Sequence, residues 1–184
     1  MARSSAKGFH YVKHLQPGQK PAVLEVILTD SEGALTVGDC VQWTNGYLTT
    51  AATTESILGV LVGFVTEKGE NLFKTNEVHG GTLSGDDTFT ASATNESVEK
   101  VKGVVIVDKD AVFLNKADSS LTMAEVGEYF DTTAGTDQVT GVGNTTQAQW
   151  QLIELVTELG DGTTVSDYGN FRIAESQLYN AKAA

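Results

Sequence analysis

VGDCVQWTNGYLTTAATTESILGVLVGFVTE, residues 37 to 67, decides the fold class. Two short segments that alternate apolar and polar residues, Cys40 to Thr44 and Tyr47 to Ala51, flank Asn45-Gly46. Asn-Gly accepts the positive φ angles of a two-residue turn, so the stretch predicts an antiparallel hairpin. Val41 and Trp43 share one face of its first strand, and Cys40 and Gln42 share the other. Val41 and Trp43 are expected in the core. After a loop over Thr53 to Ser56, SILGVLVGFVTE reads as a core strand. Gly59 and Gly63 inside it predict a bend, a bulge or a close backbone approach.

Upstream, AVLEVIL (Ala22 to Leu28) is β-branched, apolar and too short for a typical helix, so it reads as a strand. DSEGALTVGD follows as a turn-rich connection. Downstream, residues 66 to 97 are rich in Gly, Thr, Ser, Asn and Asp and read as an excursion, a hairpin with exposed loops. VKGVVIVDKDAVFLN (Val101 to Asn115) then holds two strands separated by Asp108-Lys109-Asp110. Thr122 with Glu125 matches a capping box that could start a short helix limited by Gly127; a strand pair is the alternative. Gln149 to Leu159 reads as a strand whose core face is Gln151, Ile153, Leu155, Thr157 and Leu159. Asp161-Gly162 marks a turn, and FRIAESQLYN closes the fold as a strand or a single helical turn. The spacing of short strands and turns predicts an all-β protein, a small β-barrel or sandwich. An extended basic arm is expected at residues 1–21 and one β-rich domain at 22–184. The expected core comprises Val26, Leu28, Val41, Trp43, Val60, Val62, Val105, Phe113, Ile153 and Leu155.

Charge separates the same two parts. The 184 residues carry a net charge of -12, yet Arg3, Lys7, Lys13 and Lys20 precede the first acid, Glu25. The first 22 residues therefore carry +4 and the remainder -16. An acidic body argues against binding nucleic acid, whose phosphates are neutralised by basic residues. No run of apolar residues is long enough to span a membrane, and no apolar core follows the basic N-terminus as a secretory signal requires. One cysteine, Cys40, excludes an internal disulfide framework and a multi-thiolate metal site.

No catalytic constellation emerges. His10 and His14 lie outside any HExxH context and read as a solvated pair, and His79 precedes Gly80-Gly81 in the polar excursion. Cys40 follows Asp39, whose carboxylate disfavours a thiolate, so it reads as a small buried residue. Asp108-x-Asp110 could chelate a cation, but the twelve-residue calcium loop is absent. Phosphate-binding and GxSxG motifs are absent too. No residue is assigned to catalysis, a cofactor or a metal. Phe9 and Tyr11 alternate within the basic segment AKGFHYVKH and could anchor the arm in a pocket or add it to a neighbouring sheet. The residues expected at a partner interface are Phe9, Tyr11, Lys13 and His14 in the arm, and Phe73, His79 and Phe89 in the excursion.

Val37, Gly38, Asp39, Val41, Gly46, Ile57, Gly59 and Val60 form a pattern that resembles the recurring segment of phage capsid cement, or head decoration, proteins. That segment is a strand, a GD-x-V step, a turn, a second strand and an I-x-GV. VKGVVIVDKDAVFLN is similar to the Val-rich strand that follows in that family, so the resemblance covers residues 22 to 65 and 98 to 115. It implies a small β-barrel protein without catalytic residues or cofactor, made in the host cytoplasm and placed on the external surface of an icosahedral capsid. The implied partners are the major capsid protein and further copies of the chain, a homotrimer being favoured, with arms that extend over neighbouring subunits. Another virion component (connector, tail or fibre base) and a non-viral β-rich protein- or carbohydrate-binding module stay open as alternatives. In the carbohydrate reading Trp43 and Trp150 are the stacking platforms.

Overall fold

A computed structural model describes residues 8–28, 34–51, 55–69, 81–84, 88–91, 100–133, 138–139, 148–156 and 165–178. The chain is all-β. Its strands are β1 (His10–His14), β2 (Val23–Ile27), β3 (Ala34–Thr36), β4 (Cys40–Thr44), β5 (Tyr47–Thr50), β6 (Gly59–Thr66), β7 (Gly81–Ser84), β8 (Thr88–Ala91), β9 (Val101–Ile106), β10 (Ala111–Thr122), β11 (Tyr129–Phe130), β12 (Gln138–Val139), β13 (Trp150–Leu155) and β14 (Val165–Ile173). A single 3-10 turn, Met123–Glu125, separates β10 from β11.

The sheets pack as a sandwich. One has the order β1-β10-β14-β13-β11, with β12 on β10; the second has the order β2-β9-β6-β4-β5; the third, β3-β8-β7, is small. The two edge strands of the second sheet meet at one bridge, Leu28 to Leu48, so this sheet is strongly curled. It has a core on each face. Cys40, Val60 and Ile106 face the first sheet and its aromatic residues, Phe113, Phe130, Trp150 and Phe171. Their chain neighbours Val41, Leu61 and Val105 face the opposite way, into an aliphatic core that includes Leu35 and Phe89 of the small sheet. A strand buried on both faces needs no polar side, which is why β6 and β9 read as continuous apolar runs.

The hairpin forms as its sequence predicts. Asn45 and Gly46 take φ of 52° and 92°, and Thr44 pairs with Tyr47. Gly59 marks a close backbone approach, and Gly63 adjoins an irregularity in the strand pairing. A Cβ on Gly59 would lie 2.0 Å from the Ile106 carbonyl oxygen, and the register of β6 on β9 shifts between Leu61 and Gly63. The Thr122 amide donates to the Glu125 carboxylate, as in a capping box, but the helix is a single turn ending near Gly127 at φ 98°. Among the described residues, no helix is long and apolar enough to cross a membrane.

Several expectations are corrected. The N-terminal segment is not an extension from the body over its described residues: β1 is an edge strand of the first sheet, paired with β10. Pro17-Gly18 belongs to the corner that carries the chain from one sheet to the next. The excursion does hold a hairpin, β7 and β8, but it is part of the small sheet, which also takes β3 from the stretch read as a connection. Trp43, expected in the core, is 45% exposed. It stands one pair from the Asn45-Gly46 turn, where Thr44, Asn45 and Gly46 are exposed as well. On β13 the buried residues are Trp150, Leu152 and Leu155, and Ile153 is only half-buried. A shift of register on β14 between Leu152 and Glu154 breaks the alternation that made Ile153 a core residue.

Candidate functional site

The first strand, β1, is fastened at both ends, and its middle faces solvent. At its start Gly8 and Gly38 cross in contact, with φ of 80° and 100°. A Cβ on Gly8 would come within 2.9 Å of three Gly38 backbone atoms. Both positions demand glycine, one for conformation and close approach together. The turn that presents Gly38 is held by Asp39, a residue 97% withdrawn from solvent: its carboxylate accepts the Thr36 amide at 2.7 Å, and its carbonyl accepts the Leu61 amide at 3.0 Å. Gly38 donates to the Leu61 carbonyl at 2.8 Å and accepts the Phe9 amide at 2.9 Å. The GD step is thus the seat on which Phe9 enters the protein.

The Phe9 ring is buried. It stacks on Trp150 with centroids 3.9 Å apart and planes at 14°, and meets Phe113 and Phe171 edge-on. Trp150 is held in turn, since its Nε1 donates to Thr132 Oγ1 at 2.9 Å. Beyond Phe9 the side chains of Tyr11, Val12 and Leu15 are exposed, with Val23 also open at the start of β2. Lys13 reaches Glu154 at 3.3 Å, and Asn170 donates to the same carboxylate oxygen. Hydrogen bonds from Asn170 and then Lys13 hold the Glu154 carboxyl below its ordinary value.

The other end of β1 is a polar clasp between two corners. Residues 15–22 carry the chain from the first sheet to the second, and residues 107–110 carry it back from β9 to β10. These corners run side by side: Leu15 donates to the Asp110 carbonyl at 2.8 Å, and Val107 donates to the Ala22 carbonyl at 3.0 Å. Asp108 lies at the centre. Its Oδ2 accepts the Ala22 amide at 3.0 Å and faces His14 Nε2 at 3.2 Å, while its Oδ1 accepts the Asp110 amide at 2.9 Å. Burial pushes the Asp108 carboxyl up, but the Ala22 and Asp110 amides and the His14 imidazole outweigh it and hold the carboxyl below its ordinary value. Gln16 completes the clasp: its backbone meets His14 Nδ1 and its side-chain amide donates to Asp110 at 3.2 Å. One donor atom each from His14, Asp108 and Asp110 lie within 4.8 Å of one another, and this is the one such group among the described residues.

The expected interface residues therefore divide. Tyr11 and Lys13 are on the surface. Phe9 and Phe89 are corrected to core positions, Phe9 on Trp150 and Phe89 against Phe64 in the aliphatic core. Aromatic rings in a basic or polar setting suggested exposure, but Phe89 shares the inward face of β8 with Ala91, and Phe9, just before β1, is enclosed by Trp150, Phe113 and Phe171. His14 leaves the solvated pair and enters the clasp, with a side chain 7% exposed, while His10 remains exposed. Phe73 and His79 lie outside the described residues. Sequence reading also missed Glu154 as the Lys13 partner and Gly8 as the Gly38 partner, because both are distant in the chain. A second exposed apolar group, Met123, Val126 and Tyr129, lies near β11 at the opposite edge of the first sheet. Compared with protein-family models, curated proteins and solved structures, the chain gives no match.

Proposed function

We propose that the chain is a virion structural protein that binds the outside of an icosahedral capsid and cements adjacent major capsid subunits, without catalysis. One observation carries the reading. The residues that resemble the cement-protein segment fall on one continuous unit, the Gly38-Asp39 turn, the β4–β5 hairpin and the start of β6. Val41, Ile57 and Val60 of that unit are buried, and Gly38, Gly46 and Gly59 each stand where a side chain would strain or clash. The unit is a scaffold, and one thing it holds in place is β1.

The outer face of β1 then supplies contact residues. Tyr11 and Val12 on the twice-anchored β1, with Leu15 in the corner after it and Val23 at the start of β2, are exposed apolar groups, a low-entropy surface for a protein partner. In this reading the partners are the major capsid protein and other copies of the chain, a trimer being the favoured assembly. Symmetry multiplies modest contacts into lasting attachment. The acidic balance of the chain suits a place outside the shell rather than against packaged DNA. The carbohydrate reading loses one of its two platforms, since Trp150 is fully buried.

The test is to mix purified protein with undecorated particles of the virus that encodes it, then measure co-sedimentation and the temperature at which particles disrupt. Saturable binding with a higher disruption temperature is expected, and a Tyr11→Ala, Val12→Ser double variant should bind more weakly. Wild-type protein that stays in the supernatant would reject the proposal.

A further inference from the structure

We propose that His14, Asp108 and Asp110 bind one divalent transition-metal ion, with Zn2+ as the matching probe, and that this ion pins the β1–β2 corner to the β9–β10 corner. The ligand set is one imidazole and two carboxylates, all partly or largely withdrawn from solvent; the His14 side chain is 7% exposed and that of Asp108 17%. Mixed nitrogen and oxygen donors suit zinc-like ions, whereas Ca2+ and Mg2+ take oxygen ligands. His14 Nε2 and Asp108 Oδ2 are 3.2 Å apart. Two ligands held tetrahedrally at zinc bond lengths lie about 3.3 Å apart.

Each of the three ligands already has an outer partner. His14 Nδ1 lies 3.1 Å from the Gln16 carbonyl oxygen. The tautomer with its proton on Nδ1 donates to that carbonyl and turns the Nε2 lone pair towards the carboxylates. Asp108 Oδ2 is oriented by the Ala22 amide, and Asp110 Oδ2 by the Gln16 side-chain amide. Such outer hydrogen bonds set ligand orientation at metal sites. The metal-free alternative is equally well served: the Gln16 amide donates to Nδ1 at 3.0 Å and Nε2–H donates to Asp108. Metal binding exchanges one neutral tautomer for the other, so it needs no charged imidazole. Among the described residues, no Lys or Arg forms an ion pair with Asp108 or Asp110, so the two adjacent carboxylates leave negative charge for a divalent ion to offset. A water molecule would take the remaining coordination position.

Asp110 separates the two cases. In a clasp without metal its carboxylate serves only the exposed Gln16 side chain, and Asp110→Asn keeps an oxygen for that bond. Equilibrium dialysis of the full chain against Zn2+ alone, with metal analysis, and thermal unfolding with and without Zn2+ should be run on wild type, Asp110→Asn and His14→Gln. The expected result is one tightly held Zn2+ per wild-type chain, a rise in Tm on adding it, and affinity at least about tenfold weaker in both variants with the Tm rise lost. The exposed His10 remains in Asp110→Asn, so uptake that rests on that histidine would persist there. Equal Zn2+ uptake and equal Tm shift in wild type and Asp110→Asn, or no uptake by wild type, would overturn the proposal, even if His14→Gln fails to fold.

Discussion

The two ends of β1 are held by different physics. At the Phe9 end the contacts are apolar and steric: a buried ring on Trp150, and two glycines whose backbones touch. At the His14 end they are polar, a carboxylate shared by two amides and an imidazole. The first kind of contact follows buried area and shape, and solution conditions hardly change it. The second depends on protons and ions. A strand fastened in both ways has one permanent anchor and one that chemistry can adjust.

Stability measurements can break that contrast. Phe9→Ala should have the largest effect, about 3–5 kcal/mol, by removing a fully enclosed aromatic ring. Equal losses for Phe9→Ala and Asp108→Ala in denaturant unfolding would show that the apolar end is not the principal anchor. Gly8→Ala comes next. Its left-handed backbone alone costs about 1–2 kcal/mol for an L side chain, and the clash with Gly38 adds to this. A neutral result would mean that the two glycines do not touch in solution.

Asp108→Ala should cost about 1–3 kcal/mol, because it strips the Ala22 and Asp110 amides of their acceptor. Amide exchange should then speed up at Ala22 and Asp110 while Phe9 stays protected; loss of protection at Phe9 would show that the ends are not independent. Lys13→Ala should have the smallest effect, under about 1 kcal/mol, since both partners are half exposed. The Glu154 carboxyl is held low in the folded protein, so its contribution is present above the unfolded-state value and fades as pH falls through the folded one. In Lys13→Ala that acid-side loss should shrink. An unchanged acid limb of the stability curve would remove Lys13 from the account.

The strands that could be read were those whose burial is local in cause. Asn45-Gly46 sets its hairpin through its own φ angles, and the runs in β6 and β9 are apolar because both faces are covered. Val26, Leu28, Val41, Val60, Val105, Phe113 and Leu155 are buried as their patterns indicate. Ile153 failed because a register shift on β14 breaks the alternation, and Trp43 failed because it stands beside an exposed turn. Of the clasp, Asp108 and Asp110 were visible as a pair, but nothing near them in sequence pointed to His14, 94 residues away.

The amino-acid sequence by itself determined the strands β2, β4, β5, β6 and β9, the Asn-Gly turn, the need for glycine at Gly59 and the core positions that those strands carry. These follow from periodicity and conformational preference within a few residues. Only the tertiary structure decided that the basic N-terminal segment joins the protein's own sheet, and that His14 meets Asp108 and Asp110. Strand pairing and corner crossing bring together groups that are distant in the chain, and no local pattern encodes which distant strand will supply the missing edge.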